Sequence, residues 1–159
     1  PNDVLLERRK VGGVLVEASW QGECLINAIL GIGVNVARAA VPEGTELIYP
    51  ATCVEANLGR MVDRQELLRA VLSHLLDWRP RLGSAEFLHA WEERLAFRNE
   101  WVRVLPGTSL TQVPDFEEGQ ILGLEADGAL RLCNRAGWTL IFRTGEVSLR
   151  PVEAPEAVT

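Results

Sequence analysis

Apolar residues gather into two long runs near the start of the chain. Val11-Gly12-Gly13-Val14-Leu15-Val16-Glu17-Ala18 is nearly continuous, the pattern of a strand covered on both faces. Cys24 to Gly33 is a second such run, ending on Gly31-Ile32-Gly33. Trp20-Gln21-Gly22-Glu23 between them has turn composition, so the runs are expected to pair as adjacent antiparallel strands in a covered sheet. Residues 37–50 carry Pro and Gly punctuation and read as a loop. The apolar period then changes to that of helices. Thr52 is expected to cap a short helix from Cys53 to Leu58, with Glu55 completing a capping box. Asp63-Arg64-Gln65-Glu66 opens a longer helix in the same way. Leu67, Leu68, Val71, Leu72, Leu75 and Leu76 keep its 3.6-residue period, and Pro80 limits it. Ser84 opens another, with Phe87, Leu88, Trp91 and Leu95 on one face.

Past about residue 98 the pattern shortens. Trp101-Val102-Arg103-Val104, Ile121–Leu124, Ala129–Leu132 and Trp138–Phe142 read as short strands. Glu118-Gly119, Asp127-Gly128 and Ala136-Gly137 read as turns between them, which predicts a small barrel. The boundary is placed near Arg98–Glu100, and residues 153–159 read as a frayed tail.

Composition narrows the classes. The 159 residues allow one medium domain or one with a small appendage, and 47% hydrophobic content can fill a core. A net charge of -6 without a basic stripe argues against nucleic acid as a partner. No apolar run is long enough to span a membrane, and the opening residues do not read as a leader sequence. Because it also lacks an initiator Met and begins on Pro1-Asn2-Asp3, the chain reads as a fragment of a longer protein. Cys24, Cys53 and Cys133 show neither metal spacing nor a disulfide framework, and are expected to be buried free thiols. That suits a reducing, cytoplasmic compartment. His74 and His89 sit in helical patterns without partner ligands, so no metal site is expected.

One lysine, Lys10, stands among sixteen cationic side chains that are otherwise all Arg. Its compact ammonium differs chemically from a guanidinium fork. Lys10 precedes Gly12 and Gly13, where missing side chains would let a ligand approach the backbone. Such an ammonium can meet a carboxylate or a phosphate; from spacing alone a surface lysine at a flexible strand entry is the commoner reading. Gly31-Ile32-Gly33-Val34-Asn35 likewise exposes backbone amides and adds a carboxamide, suiting a planar polar ligand or nucleotide; a strand ending in a turn fits it too. It lacks the third glycine of a Rossmann fingerprint.

Taken in order, Pro1-Asn2-Asp3, Lys10-Val-Gly-Gly-Val-Leu-Val-Glu17 and Gly31-Ile-Gly-Val-Asn35 resemble the biotin protein ligase family, also called biotin–[acetyl-CoA-carboxylase] ligase. Gly123-Leu-Glu-Ala-Asp-Gly-Ala-Leu130 and Gly145-Glu-Val-Ser-Leu-Arg150 resemble the family's C-terminal SH3-like domain. The resemblance implies an α+β fold: a partial mixed or antiparallel sheet with helices, class II synthetase-like and truncated, then a small SH3-like β-barrel. It assigns 1–98 to the C-terminal part of the catalytic domain, 99–152 to the SH3-like domain and 153–159 to a tail.

It further implies an enzyme that makes biotinyl-5′-AMP from biotin and ATP and transfers biotin to a lysine of a biotin carboxyl carrier domain. Lys10 matches the family's catalytic lysine, holding the biotin carboxylate and the ATP α-phosphate. Gly12, Gly13, Leu15, Gly31 and Gly33 match the biotin side. Asn2, Asn35, Arg38 and Tyr49 match the nucleotide side. Mg²⁺ is expected with ATP, held by phosphate oxygens and water. Some relatives dimerise, so a homodimer is one candidate assembly.

The chain departs from the pattern in one respect. The family's Gly-Arg-rich loop and its Ser/Thr-x-Asn biotin contact have no counterpart, nor has any DNA-binding domain. Ligase activity is therefore expected of an intact protein and not of this span alone. Two other readings stand beside it: an inactive binding module or remnant, which carrier binding without biotin would favour, and a lipoate-handling relative, disfavoured by the Gly-Glu-Val-Ser-Leu-Arg close.

Overall fold

A computed structural model of the chain describes residues 2–41, 50–106, 116–143 and 147–154. They fall into two units, Asn2–Ser73 and His74–Thr159.

The first unit is built on an antiparallel sheet of β1 (Asp3–Leu6), β2 (Arg9–Gln21) and β3 (Cys24–Val34), in that order. The β2–β3 hairpin forms as its pattern predicts, turning at Gly22, where φ is 60°. The sequence does not announce β1 as a partner strand. Its turn into β2 is Glu7-Arg8, with φ of 50° and 61°, the type I′ geometry that Asn-Gly ordinarily signals.

The expected cover over these strands is mostly absent among the described residues. β2 is buried only at Val11 and Gly12, and β3 is exposed along its whole length, Cys24 included. A strand is buried when a layer lies on its face. Here the layer is the segment at 50–53, beside the start of β2: Ala51 pairs in parallel with Lys10, and Thr52 and Cys53 are 2% and 1% exposed. Beyond its reach Leu15, Val16, Ile26 and Ile29 are more than half exposed.

The short helix α1 (Val54–Leu58) ends on Gly59, whose φ of 66° suits a left-handed C-cap. Thr52 does not cap it: Cys53 takes the N-cap position with no side-chain bond, and the Thr52 hydroxyl accepts from Asn57 Nδ2 at 2.8 Å. Glu55 instead accepts from the Val62 amide at 3.2 Å. The stronger start signal holds. Asp63 Oδ1 accepts from the amides of Gln65 and Glu66 at 2.7 and 3.3 Å, and α2 (Arg64–Trp78) follows. Its leucine stripe is exposed at Leu68, Leu72, Leu75 and Leu76.

In the second unit, α3 (Ala85–Glu92) is capped by Ser84, whose hydroxyl accepts from the Phe87 amide at 3.1 Å. It stops before Leu95. Phe87 packs its ring between Trp78 and Trp91, at centroid distances of 5.9 and 6.1 Å. The antiparallel strands β4 (Trp101–Pro106), β5 (Glu117–Leu124), β6 (Leu130–Cys133), β7 (Thr139–Phe142) and β8 (Val147–Pro151) run in the order β7-β6-β5-β4-β8, an SH3-like small sheet. Val102, Val104, Ile121 and Leu132 are fully buried and form its core.

Two of the three expected turns are present, with Gly128 and Gly137 both at φ 82°. Glu118-Gly119 is not a turn but lies inside β5. A Cβ on Gly119 would sit 2.9 Å from the Cys133 carbonyl oxygen, so this glycine serves close strand approach. Beside it Glu118 accepts from Arg103 Nη2 at 2.7 Å and from Arg135 Nη2 at 2.9 Å. Those bonds, led by Arg103, hold its carboxyl below the ordinary 4.5. No helix among the described residues is long and apolar enough to cross a membrane.

Candidate functional site

In a regular strand, residues three apart point to opposite faces. Lys10 and Gly13 do not, because β2 carries a bulge. Val4 pairs with Gly12 but Leu5 pairs with Lys10, leaving Val11 as the extra residue. That residue resets the alternation, so Lys10 and Gly13 line one cavity. Beyond the bulge regular pairing resumes: Gly13 faces Gly33 and Leu15 faces Gly31. The result is a floor of paired backbone with few side chains on it.

The cavity over this floor measures about 480 Å³ and is lined by Asn2, Asp3, Lys10, Gly13, Val14, Leu15, Gly31, Ile32 and Gly33. The size lies in the range of small-ligand sites. The floor is open where it matters. A Cβ on Gly33 would meet nothing within 4 Å, and one on Gly31 would come no closer than 3.7 Å to the Leu15 carbonyl oxygen. Gly12 differs: its Cβ would stand 2.5 Å from the Gly33 carbonyl oxygen. Gly12 is outside the lining and keeps β2 and β3 close.

The backbone of Lys10 is fixed on both edges. Its amide donates to the Pro50 carbonyl and its carbonyl accepts from the Thr52 amide, both at 2.8 Å. Arg9 Nη2 donates to the Ala51 carbonyl at 2.9 Å and fastens the same segment. Within the cavity the Lys10 ammonium pairs with Asp3 Oδ1, the two side chains being 39% and 33% exposed. These are the charged residues of the lining. The sequence motif contains Asp3, yet only this contact marks it as part of the site.

Six of the residues singled out from the sequence thus meet in one place: Asn2, Lys10, Gly13, Leu15, Gly31 and Gly33. Three others do not join the lining. Gly12 lies behind it. Asn35 is tied into the fold by three bonds: its amide donates to Val11 O at 2.8 Å, its Nδ2 donates to Thr52 O at 3.2 Å, and its carbonyl accepts from Val54 N at 2.9 Å. It is joined to Lys10 through Thr52, without sharing the cavity. Arg38 is exposed on a single 3-10 turn, Arg38–Ala40. Tyr49 lies outside the described residues.

Among the described residues no three or more His, Cys, Asp or Glu side chains converge as a metal cage. An ammonium fixed over bare backbone can hold an anionic oxygen while a flat group lies against the strands.

No family model matches the chain. It is 34% identical over 148 residues to the biotin–[acetyl-CoA-carboxylase] ligase of Paracoccus denitrificans, covering 89% of the chain and 58% of that protein. It is 30% identical over 156 residues to the bifunctional ligase/repressor BirA of Escherichia coli K12, covering 96% of the chain and 46% of that protein. The chain therefore spans about half the length of these curated relatives. Its fold matches the apo structure of biotin protein ligase from Aquifex aeolicus with a TM-score of 0.75 at 30% identity, over 96% of the chain and 63% of that one. The structure of the Aquifex aeolicus ligase in complex with biotin and ATP matches with a TM-score of 0.72 at 29% identity, over 96% and 60%.

Proposed function

The chain belongs to the biotin protein ligase family, and on that premise we propose that the intact protein is an ATP-dependent biotin protein ligase whose activating lysine is Lys10. The observation that carries this reading is the ammonium held over a cavity floored by Gly13, Gly31 and Gly33.

The proposed reaction has two steps. A biotin carboxylate oxygen attacks the α-phosphorus of ATP; a P–O bond forms, the bond to the β-phosphate oxygen breaks, and pyrophosphate leaves. The carrier lysine amine then attacks the acyl carbon of biotinyl-5′-AMP; an amide forms, AMP leaves and the amine gives up a proton. Lys10 contributes fixed positive charge in the first step, between two anionic reactants that repel each other. Charge oriented before reaction stabilises the developing phosphorane without reorganising at that moment. The glycine floor supplies alignment, the other large contribution when two reactants must meet.

In this reading Gly13, Leu15, Gly31 and Gly33 take the biotin side and Asn2 the nucleotide side. Magnesium enters with ATP as part of the substrate. Residues 1–98 are the C-terminal part of the catalytic domain, residues 99–152 the SH3-like domain, and a biotin carboxyl carrier domain the macromolecular substrate. Turnover belongs to the intact protein and is not expected of this span alone.

The test is labelled-biotin transfer to a carrier domain by the intact protein, wild type beside Lys10→Ala. Removing one preorganised electrostatic partner lowers the rate by about 10²-fold or more. Wild-type activity in the Lys10→Ala protein would remove the assignment.

A further inference from the structure

We propose that Asp3 is the positioning residue for Lys10, an inference that rests on the ligase reading above. A lone lysine has four freely rotating torsions and loses considerable entropy when its ammonium is confined. Nothing in the glycine floor can confine it. Asp3 stands across β1–β2 from Gly13, and because Gly13 has no side chain the Asp3 carboxylate reaches over it. Asp3 Oδ1 lies 4.0 Å from where a Gly13 Cβ would be, within ordinary van der Waals contact. The same oxygen meets the Lys10 ammonium. The bulge at Val11 turns Lys10 toward it. Three local features, a bulge, a bare glycine and one carboxylate, therefore converge on a single geometry for Nζ.

The recorded ion pair uses one carboxylate oxygen, while an ammonium carries three N–H donors. Donors remain for incoming anionic oxygens, so Asp3 need not leave when substrate arrives. Its charge also tempers the attraction of Lys10 for any ground-state anion. The net effect is an ammonium aimed at the reacting oxygens yet not saturated by the resting ligand. Help concentrated in the transition state raises kcat instead of only lowering KM.

The experiment measures pyrophosphate release by the intact protein with biotin and ATP, for wild type, Asp3→Asn, Asp3→Glu, Lys10→Ala and the Asp3→Asn/Lys10→Ala double variant. Asp3→Asn is expected to lower kcat about tenfold, which is 1.4 kcal/mol of barrier. KM for ATP and for biotin should stay equal or fall, because a negative charge beside the anions is gone. Asp3→Glu keeps the charge at a different reach and should recover part of the rate. In the Lys10→Ala background Asp3→Asn should add no further loss, since the two act as one unit. The melting temperature should not move, because the pair is solvent-accessible. A wild-type kcat for Asp3→Asn beside an impaired Lys10→Ala overturns the role of Asp3 alone. A fall in both kcat and melting temperature with raised KM, not recovered by Asp3→Glu, makes Asp3 structural and also overturns it. Full activity in Lys10→Ala overturns the ligase assignment itself, whatever Asp3→Asn does.

Discussion

Two glycines one β-ladder step apart should respond to the same methyl group in opposite ways. Gly33→Ala places a Cβ into open space over the floor, with no atom within 4 Å. Gly12→Ala drives its Cβ to 2.5 Å from the Gly33 carbonyl oxygen, a backbone atom that cannot rotate away. For Gly33→Ala the fold loses nothing and the unfolded chain loses freedom, so stability should hold or rise by roughly 0.4–1 kcal/mol. For Gly12→Ala, overpacking costs about 1–3 kcal/mol as β2 and β3 are forced apart. In a small domain about 1 kcal/mol moves the melting temperature by roughly 4–8 °C, so the two variants separate well in a thermal melt.

Biotin binding to the intact protein, followed by titration calorimetry, supplies the other axis. If ligand lies against bare backbone, the Gly33 methyl occupies its volume at a similar cost. Affinity should then fall at least about tenfold, since each 1.4 kcal/mol is a factor of ten. Stable protein with weakened binding at Gly33, and destabilised protein at Gly12, is the expected pair of results. Gly33→Ala protein that binds biotin as tightly as wild type would refute the glycine-floor argument.

The second unit supports two smaller predictions. Glu118 is held ionised chiefly by its hydrogen bond from Arg103, so its carboxyl titrates below the ordinary 4.5; the stability it adds is fully present above that value and is lost as pH falls below it. Arg103 and Arg135 are 41% and 58% exposed, so the network is worth no more than about 1 kcal/mol. Glu118→Gln should flatten that part of the acid-unfolding curve, and an unchanged acid limb by circular dichroism would count against the network. Gly119→Ala brings a Cβ to 2.9 Å from Cys133 O and 3.0 Å from Leu132 Cβ; chemical denaturation should show a loss of about 1–3 kcal/mol, and a smaller loss would mean β5 and β6 can separate freely.

Several elements were legible because their cause is local. A hydroxyl or carboxylate two or three residues ahead of an amide caps a helix wherever the chain runs, and Asp63 and Ser84 do so. The Asp127-Gly128 and Ala136-Gly137 turns need left-handed glycines, and they have them. Glu118-Gly119 misled because glycine marks turns and close approaches alike. Thr52 misled because its hydroxyl is taken by Asn57 and its amide by Lys10. The leucine stripe of α2 and the apolar runs of β2 and β3 announce burial, but pattern cannot say what provides the cover.

By itself the sequence determined which residues are chemically exceptional: one ammonium among guanidiniums, and glycines punctuating two apolar strands. Only tertiary structure decided which of them share a space. An extra residue at Val11 reverses the side-chain alternation and joins Lys10 to the glycine face, where Asp3 meets it. Asn35, one residue past β3, is claimed by a segment seventeen residues further on. Strand parity and long-range hydrogen bonds depend on register, and register is a property of the paired chain.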